Sequence, residues 1–180
     1  MSRINVVESA SGKAKELLDT VQRTFGGTPN LFRVIAQSPA ALEGLLGLLG
    51  GLAKSTLSGK TRTQIALAVA QANGCDYCLS AHTLIGKSSG LSDAEINQAY
   101  EGHSSDPKTE AILRLALAIV VRRGHITNSE FSAATAAGLT QAELVETVAV
   151  TVLNIFTNYM NFAAETEIDF PVVHSRALAA

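Results

Sequence analysis

Apolar residues recur three and four positions apart along most of the chain, the period of helices that each bury one side. Ala14, Leu17, Leu18, Val21 and Phe25 form the first such stripe, with Ser11 placed to cap it and Gly26-Gly27 to stop it. Thr28-Pro29-Asn30 opens a short helix that buries Leu31, Val34 and Ile35. Ser38-Pro39 restarts the chain into an apolar run, Ala40 to Lys54, with Gly44, Gly47 and Gly50 spaced by three. That run is too short to span a bilayer, so it reads as a core helix whose glycines permit close packing against a neighbour or another subunit. Ser58 caps a further helix to Asn73, with Ile65, Leu67, Ala68, Val69 and Ala72 mostly inside. Gly74 ends it, and another helix runs from Cys75 to about Lys87.

Three capping boxes follow: Ser92 to Glu95, Thr127 to Glu130 and Thr140 to Glu143. Between the first two, Gly102 to Pro107 reads as a polar connector before a helix from Glu110 to Arg123, closed by Gly124. The last helix, about Gln141 to Glu165, contains the β-branched stretch Val148 to Leu153, which its length and cap assign to helix. The tail around Asp169-Phe170-Pro171 is expected to be irregular. The fold class that follows is all-α, with residues 1–180 as one domain and a motif-bearing core at about 39–124. Aligning Leu57 with Leu139 sets Ser58 on Thr140, Tyr77 on Tyr159, and Cys75 and Cys78 on Thr157 and Met160. This echo is read as a duplication that lost its thiols or as a chance match of two amphipathic stretches.

With 180 residues, 47% hydrophobic and 17% charged, the chain is large enough for a substantial core. A net charge of -2 gives no electrostatic case for nucleic acid, and no stretch has the length of a membrane span. The opening residues carry no apolar signal segment, so a cytoplasmic location is expected.

The chemistry concentrates in Gly74-Cys75-Asp76-Tyr77-Cys78-Leu79-Ser80-Ala81-His82, which holds both cysteines of the chain. On a helix, Cys75, Cys78 and His82 fall within an arc of roughly 60°. A helix start at Cys75 adds the positive end of the dipole and free N–H groups, which favour a thiolate. Structural zinc would need four ligands, and no other cysteine exists to supply them. Attachment of c-type haem needs histidine directly after the second cysteine, where Leu79 stands, and a thioredoxin fold needs a βαβ setting. Two inert core cysteines remain the plain alternative. The expected site is therefore Cys75, Cys78 and His82, with no bound cofactor and no metal, while Tyr77 and Leu79 pack in the core. Cys78 is the expected attacking thiol, because His82, four residues on, lies nearest it.

Leu57-Ser58, the run Ile65 to Ala70, Asn73-Gly74-Cys75-Asp76-Tyr77-Cys78, His82-Thr83, Asn158-Tyr159 and Thr166 to Pro171 resemble the alkylhydroperoxidase D-like family of the carboxymuconolactone decarboxylase superfamily. The resemblance implies an AhpD-like helical bundle forming homo-oligomers, trimers or hexamers. It implies reduction of hydrogen peroxide or organic hydroperoxides by the thiol pair, regenerated by an external dithiol donor, a lipoyl group or a thioredoxin-like protein. The family usually carries glutamate twelve residues before the first motif cysteine; here Arg62-Thr63-Gln64 puts Thr63 there. Folding back at Gly74 would bring residue 63 toward His82, so threonine removes the carboxylate of the relay, and slow peroxide turnover is expected. The competing reading from the wider superfamily is a cofactor-free decarboxylase or lactone-handling enzyme, which needs no Cys-x-x-C. His103, His125 and His174 match no motif and are expected to be surface or structural.

Overall fold

A computed structural model of the chain describes residues 2–176, and among these it contains nine helices and no strand. In chain order they are α1 (Gly12–Phe25), α2 (Asn30–Ile35), α3 (Pro39–Leu52), α4 (Gly59–Asn73), α5 (Asp76–Ser88), α6 (Asp93–Tyr100), α7 (Pro107–Arg122), α8 (Asn128–Ala136) and α9 (Gln141–Ala164). The all-α expectation holds, including for the β-branched segment inside α9.

The bundle is built around α4. Every residue from Thr63 to Gln71 is buried, and the helix packs against α5, α6, α7 and α9. A helix suits such a position because its backbone polar groups are satisfied internally, and Ala66, Ala68 and Ala70 let neighbours approach. Ser58 caps it by accepting from the Thr61 N–H, and Gly74 ends it in the left-handed region at φ 72°. That conformation turns the chain back, so α5 packs along α4. The three capping boxes are present as expected, at α6, α8 and α9.

Some elements differ from expectation. The α3 run is only half a core helix: Leu42 and Leu45 are buried, whereas Gly44, Gly47 and Gly50 face outward with nothing near a would-be Cβ. Apolar composition concealed this, because leucines occupy both sides. α7 begins three residues before Glu110, since Asp106 accepts from the Thr109 N–H at 2.7 Å and Pro107 fits the first helical position. Ser11 precedes α1 without making a side-chain cap. The echo between residues 57–81 and 139–163 also ends at Gly74, because its counterpart, Phe156, lies within the unbroken α9.

The irregular tail is tied down across the start of α5. Asp169 accepts from the Asn30 N–H and the Tyr77 hydroxyl, and the Val173 N–H donates to Ser80 Oγ. Asp76 accepts from the Ser175 N–H and hydroxyl and pairs with His174. Gln71 exchanges two hydrogen bonds with the backbone of Arg176. No helix among the described residues is long and apolar enough to cross a membrane.

Candidate active site

Cys75 is the N-cap residue of α5 and Cys78 lies in its first turn. Both thiols are free and buried, side by side at the start of α5. The two cysteines singled out in the sequence thus share the start of α5, and α9 supplies much of what surrounds them. Asn161 Nδ2 donates to Cys78 Sγ at 3.2 Å. Asn158 is fully buried and accepts from Asn73 Nδ2 at 2.8 Å, while its own Nδ2 has no hydrogen-bond partner among the described residues.

These contacts separate the two thiols in acidity. The neighbouring Cys75 thiol, and then the Asn161 amide, lower the pKa of Cys78 against the opposing effect of burial. Hydrogen bonding to Cys78, together with burial, raises that of Cys75. The pair thus favours a thiolate on Cys78 facing a protonated thiol on Cys75. The sequence reading missed Asn158 and Asn161 as contributors to the site. The signal available was two asparagines three residues apart inside an otherwise apolar α9.

His82 lies one turn beyond Cys78 on α5. The residue as a whole is half-buried, yet its Nδ1 is enclosed and has no hydrogen-bond partner. Burial lowers its pKa from 6.5 to about 4, so the imidazole is neutral near pH 7. Thr63 is buried, and its hydroxyl donates to the Gly59 carbonyl one turn back on α4. It provides no carboxylate that could hold an imidazolium. Asp76, between the cysteines, is drawn upward by burial, but bonds from His174 and Ser175 hold its carboxyl below the ordinary range. Tyr77 is buried with its ring edge-on to Phe170, and burial followed by Asp169 raises the pKa of its hydroxyl. Tyr77 and Leu79 are core residues, as expected. His103 and His125 are exposed, while His174 is the tail's contact with Asp76.

A cavity of about 270 Å³ opens beside Cys75, with Tyr77, Asn161, Phe162, Thr166 and Ile168 in its walls. Among the described residues, no group of three or more His, Cys, Asp or Glu is gathered as a metal ion would require.

The depressed His82 pKa links folding to pH. Between pH 6.5 and about 4 the unfolded chain binds a proton on this residue that the folded one does not, so stability falls as pH drops through that window. Chemical denaturation across it should show a shallower pH dependence in His82→Gln than in the unmodified protein. An unchanged slope would remove His82 as the cause.

Residues 39–105 match the family model described as the carboxymuconolactone decarboxylase family. No curated protein sequence matches the chain significantly. Among solved structures, the chain is similar to an alkylhydroperoxidase AhpD core, a peroxidase-related protein from Ralstonia eutropha JMP134, at 22% identity and TM-score 0.81 over 93% of this chain and 92% of that one. A peroxidase-related protein from Silicibacter sp. TM1040 gives 19% and 0.80 over 91% and 88%. The debrominase Bmp8, as a cysteine-to-alanine variant in complex with 2,3,4-tribromopyrrole, gives 19% and 0.79 over 94% of each. The family match falls on the segment that carries both thiols, and the neighbours share the architecture of almost the whole chain. Residues 39–105 thus match the carboxymuconolactone decarboxylase family model, and the fold of nearly the whole chain is the one seen in the AhpD-like and peroxidase-related structures.

Proposed function

We propose that the protein is a thiol-dependent oxidoreductase that reduces hydroperoxides through Cys75 and Cys78. The observation that carries this reading is the geometry of the pair: two free, buried thiols at the start of α5, with Asn161 Nδ2 3.2 Å from Cys78 Sγ. In the cycle, the Cys78 thiolate attacks the terminal peroxide oxygen. The O–O bond breaks, the alkoxide takes up a proton and leaves as the alcohol, and Cys78 becomes a sulfenic acid. Cys75 condenses with that sulfur, water leaves, and a disulfide forms. An external dithiol, a lipoyl group or a thioredoxin-like protein, then supplies two electrons and two protons to restore both thiols.

A second reading uses the same two electrons for reductive dehalogenation of a small aromatic compound. It is favoured by the cavity beside Cys75, where the Tyr77 and Phe162 rings and Ile168 stand among polar groups, and one protein of this architecture among the structural neighbours is named a debrominase.

Mild peroxide should consume two free thiols per chain, and a dithiol should return them. Trapping with a sulfenate-reactive label should find sulfenate on Cys78 in Cys75→Ser and none in Cys78→Ser. Thiols that stay unreactive would sink the peroxidase reading, and sulfenate surviving only in Cys78→Ser would reverse the roles.

Threonine at position 63 leaves the imidazole without carboxylate support, so peroxide turnover in the natural sequence is slow. Positioned acid–base groups contribute about 10²- to 10⁴-fold. Thr63→Glu should recover part of that, measured as peroxide consumed per unit time with saturating dithiol. The gain should vanish when His82→Ala is added. Fast turnover in the unmodified protein, or a gain that persists without His82, contradicts this relay.

The protein also acts as a homo-oligomer in this proposal. Val145, Val148, Val152, Phe156, Tyr159 and Phe162 are exposed at steps of three and four along α9. A continuous uncharged stripe of this kind is normally covered, and a second copy of the same helix matches it in spacing. Light scattering should return a multiple of 18.8 kDa, and Val152→Glu should shift the species toward monomer. A monomer at micromolar concentration in the unmodified protein would refute the assembly.

A further inference from the structure

Neither sulfur of the pair is open to an outside reagent. Cys75 and Cys78 are 1% and 2% exposed, and the cavity beside α5 is walled in part by Cys75 but does not reach Cys78. Thiol–disulfide exchange needs an incoming thiolate in contact with one of the two sulfurs. Some covering element must therefore move.

The covering elements are held in different ways. α4 is buried from Thr63 to Gln71, and α9 is an unbroken helix of 24 residues. Each carries its own backbone ladder, which opens cooperatively. Residues 172–176 lie across the start of α5 and make no backbone-to-backbone hydrogen bond among the described residues. Their N–H groups end on side chains instead: Val173 on Ser80 Oγ at 2.8 Å, Ser175 on Asp76 Oδ1 at 2.8 Å and Arg176 on Gln71 Oε1 at 3.2 Å. His174 Nδ1 adds a contact with Asp76 Oδ2 at 2.7 Å. Arg176 Nη2 donates to Asn97 Oδ1 at 2.8 Å, and its guanidinium lies 5.4 Å from the centre of the Tyr100 ring. Bonds of this kind can be released one by one, and the side chains of His174 and Arg176 are already exposed.

The segment just before is anchored separately, by Asp169 to the Asn30 N–H and Tyr77 hydroxyl and by Phe170 edge-on to Tyr77. Between the two anchorages, Pro171 has no N–H to give and Val172 is 55% exposed. The chain can swing there. What it covers is the turn into α5: a Cβ at Gly74 would lie 3.8 Å from Ser175 Oγ, and Asp76, which takes three of the bonds, stands between the cysteines.

We propose that residues 172–176 are a hinged strap whose release from Asp76, Ser80, Gln71 and Asn97 uncovers the start of α5 and admits an external dithiol to the Cys75–Cys78 disulfide. A donor thiolate bonds to one sulfur, the Cys75–Cys78 bond breaks, and the other cysteine leaves as a thiolate. The donor's second thiol then displaces the first, so the donor departs as its own disulfide and its two electrons and two protons stay on the protein thiols. The catalytic meaning rests on the redox cycle proposed above, whereas the opening itself does not.

The test compares the unmodified full chain with Asn97→Ala, with Asn97→Asp and with the combined His174→Ala, Ser175→Ala and Arg176→Ala variant, all outside the thiol pair and its α9 contacts. Three quantities are read: N-ethylmaleimide labelling of the reduced thiols, dithiothreitol reduction of the disulfide formed with diamide, and hydrogen exchange of the 173–176 and α4 amides. Asn97→Ala removes one bond more than a turn of helix away from any thiol, and it should speed labelling and reduction by about two- to tenfold, the range of one hydrogen bond. The combined variant should speed them further. Exchange at 173–176 should rise in step while α4 exchange stays unchanged, and Asn97→Asp, which keeps an acceptor for Arg176, should behave as the unmodified chain. The inference is overturned if the combined variant leaves labelling and reduction unchanged, or if α4 exchange rises in step with them, which would make access a matter of unfolding the core. A protein whose thiols never react with peroxide would defeat the peroxidase reading, and the labelling and diamide measurements would still decide the strap.

Discussion

The structure depends on keeping α4 enclosed on nearly every side. A helix of Thr, Gln, Ile, Ala, Leu and Val from position 63 to 71 exposes almost nothing, so its neighbours must complete their own packing against it. This constraint accounts for the capped ends of α4, for the glycine at position 74, and for the crossing of α9 that brings asparagines to the thiols. The reactive pair sits where the central helix ends and the next begins, so moving either element would displace the sulfur contacts.

A buried site of this kind controls thiol chemistry by choosing which sulfur carries charge. In water both cysteines would titrate alike. Here the neighbouring Cys75 thiol and the Asn161 amide favour charge on Cys78, while Cys75 lies on the cavity wall. Burial alone would suppress both thiolates; specific hydrogen bonds reverse that for one of them. The neutral imidazole of His82 contributes no fixed positive charge, which makes the amides of α9 more important to the balance.

Most helix boundaries were legible because caps are local chemistry: Ser92, Thr127 and Thr140 each bond within their own first turn, and Gly74 satisfies a backbone need that its position announces. The Cys-x-x-C pair was legible for the same reason. Asn161 was not, since its contact with Cys78 exists only once α9 has packed beside α5, more than eighty residues away from the thiols in sequence. The outward placement of the α3 glycines was not legible, because a run with leucine on both sides of a helix has no periodicity to say which side faces the core. The asparagines of α9 stand out only by being polar where the pattern demands apolar residues.

The tail from Asp169 to Arg176 closes its bonds to α4 and α5 across 92 to 105 intervening residues. Loop-closure entropy makes such contacts expensive until the elements between them are in place. The strap is therefore among the last parts to order as the chain folds, and a growing chain must extend through Arg176 before the start of the thiol helix is covered. During that interval Cys75 and Cys78 are open to any oxidant or foreign thiol nearby, so exposure to mixed-disulfide formation is greatest in the nascent protein.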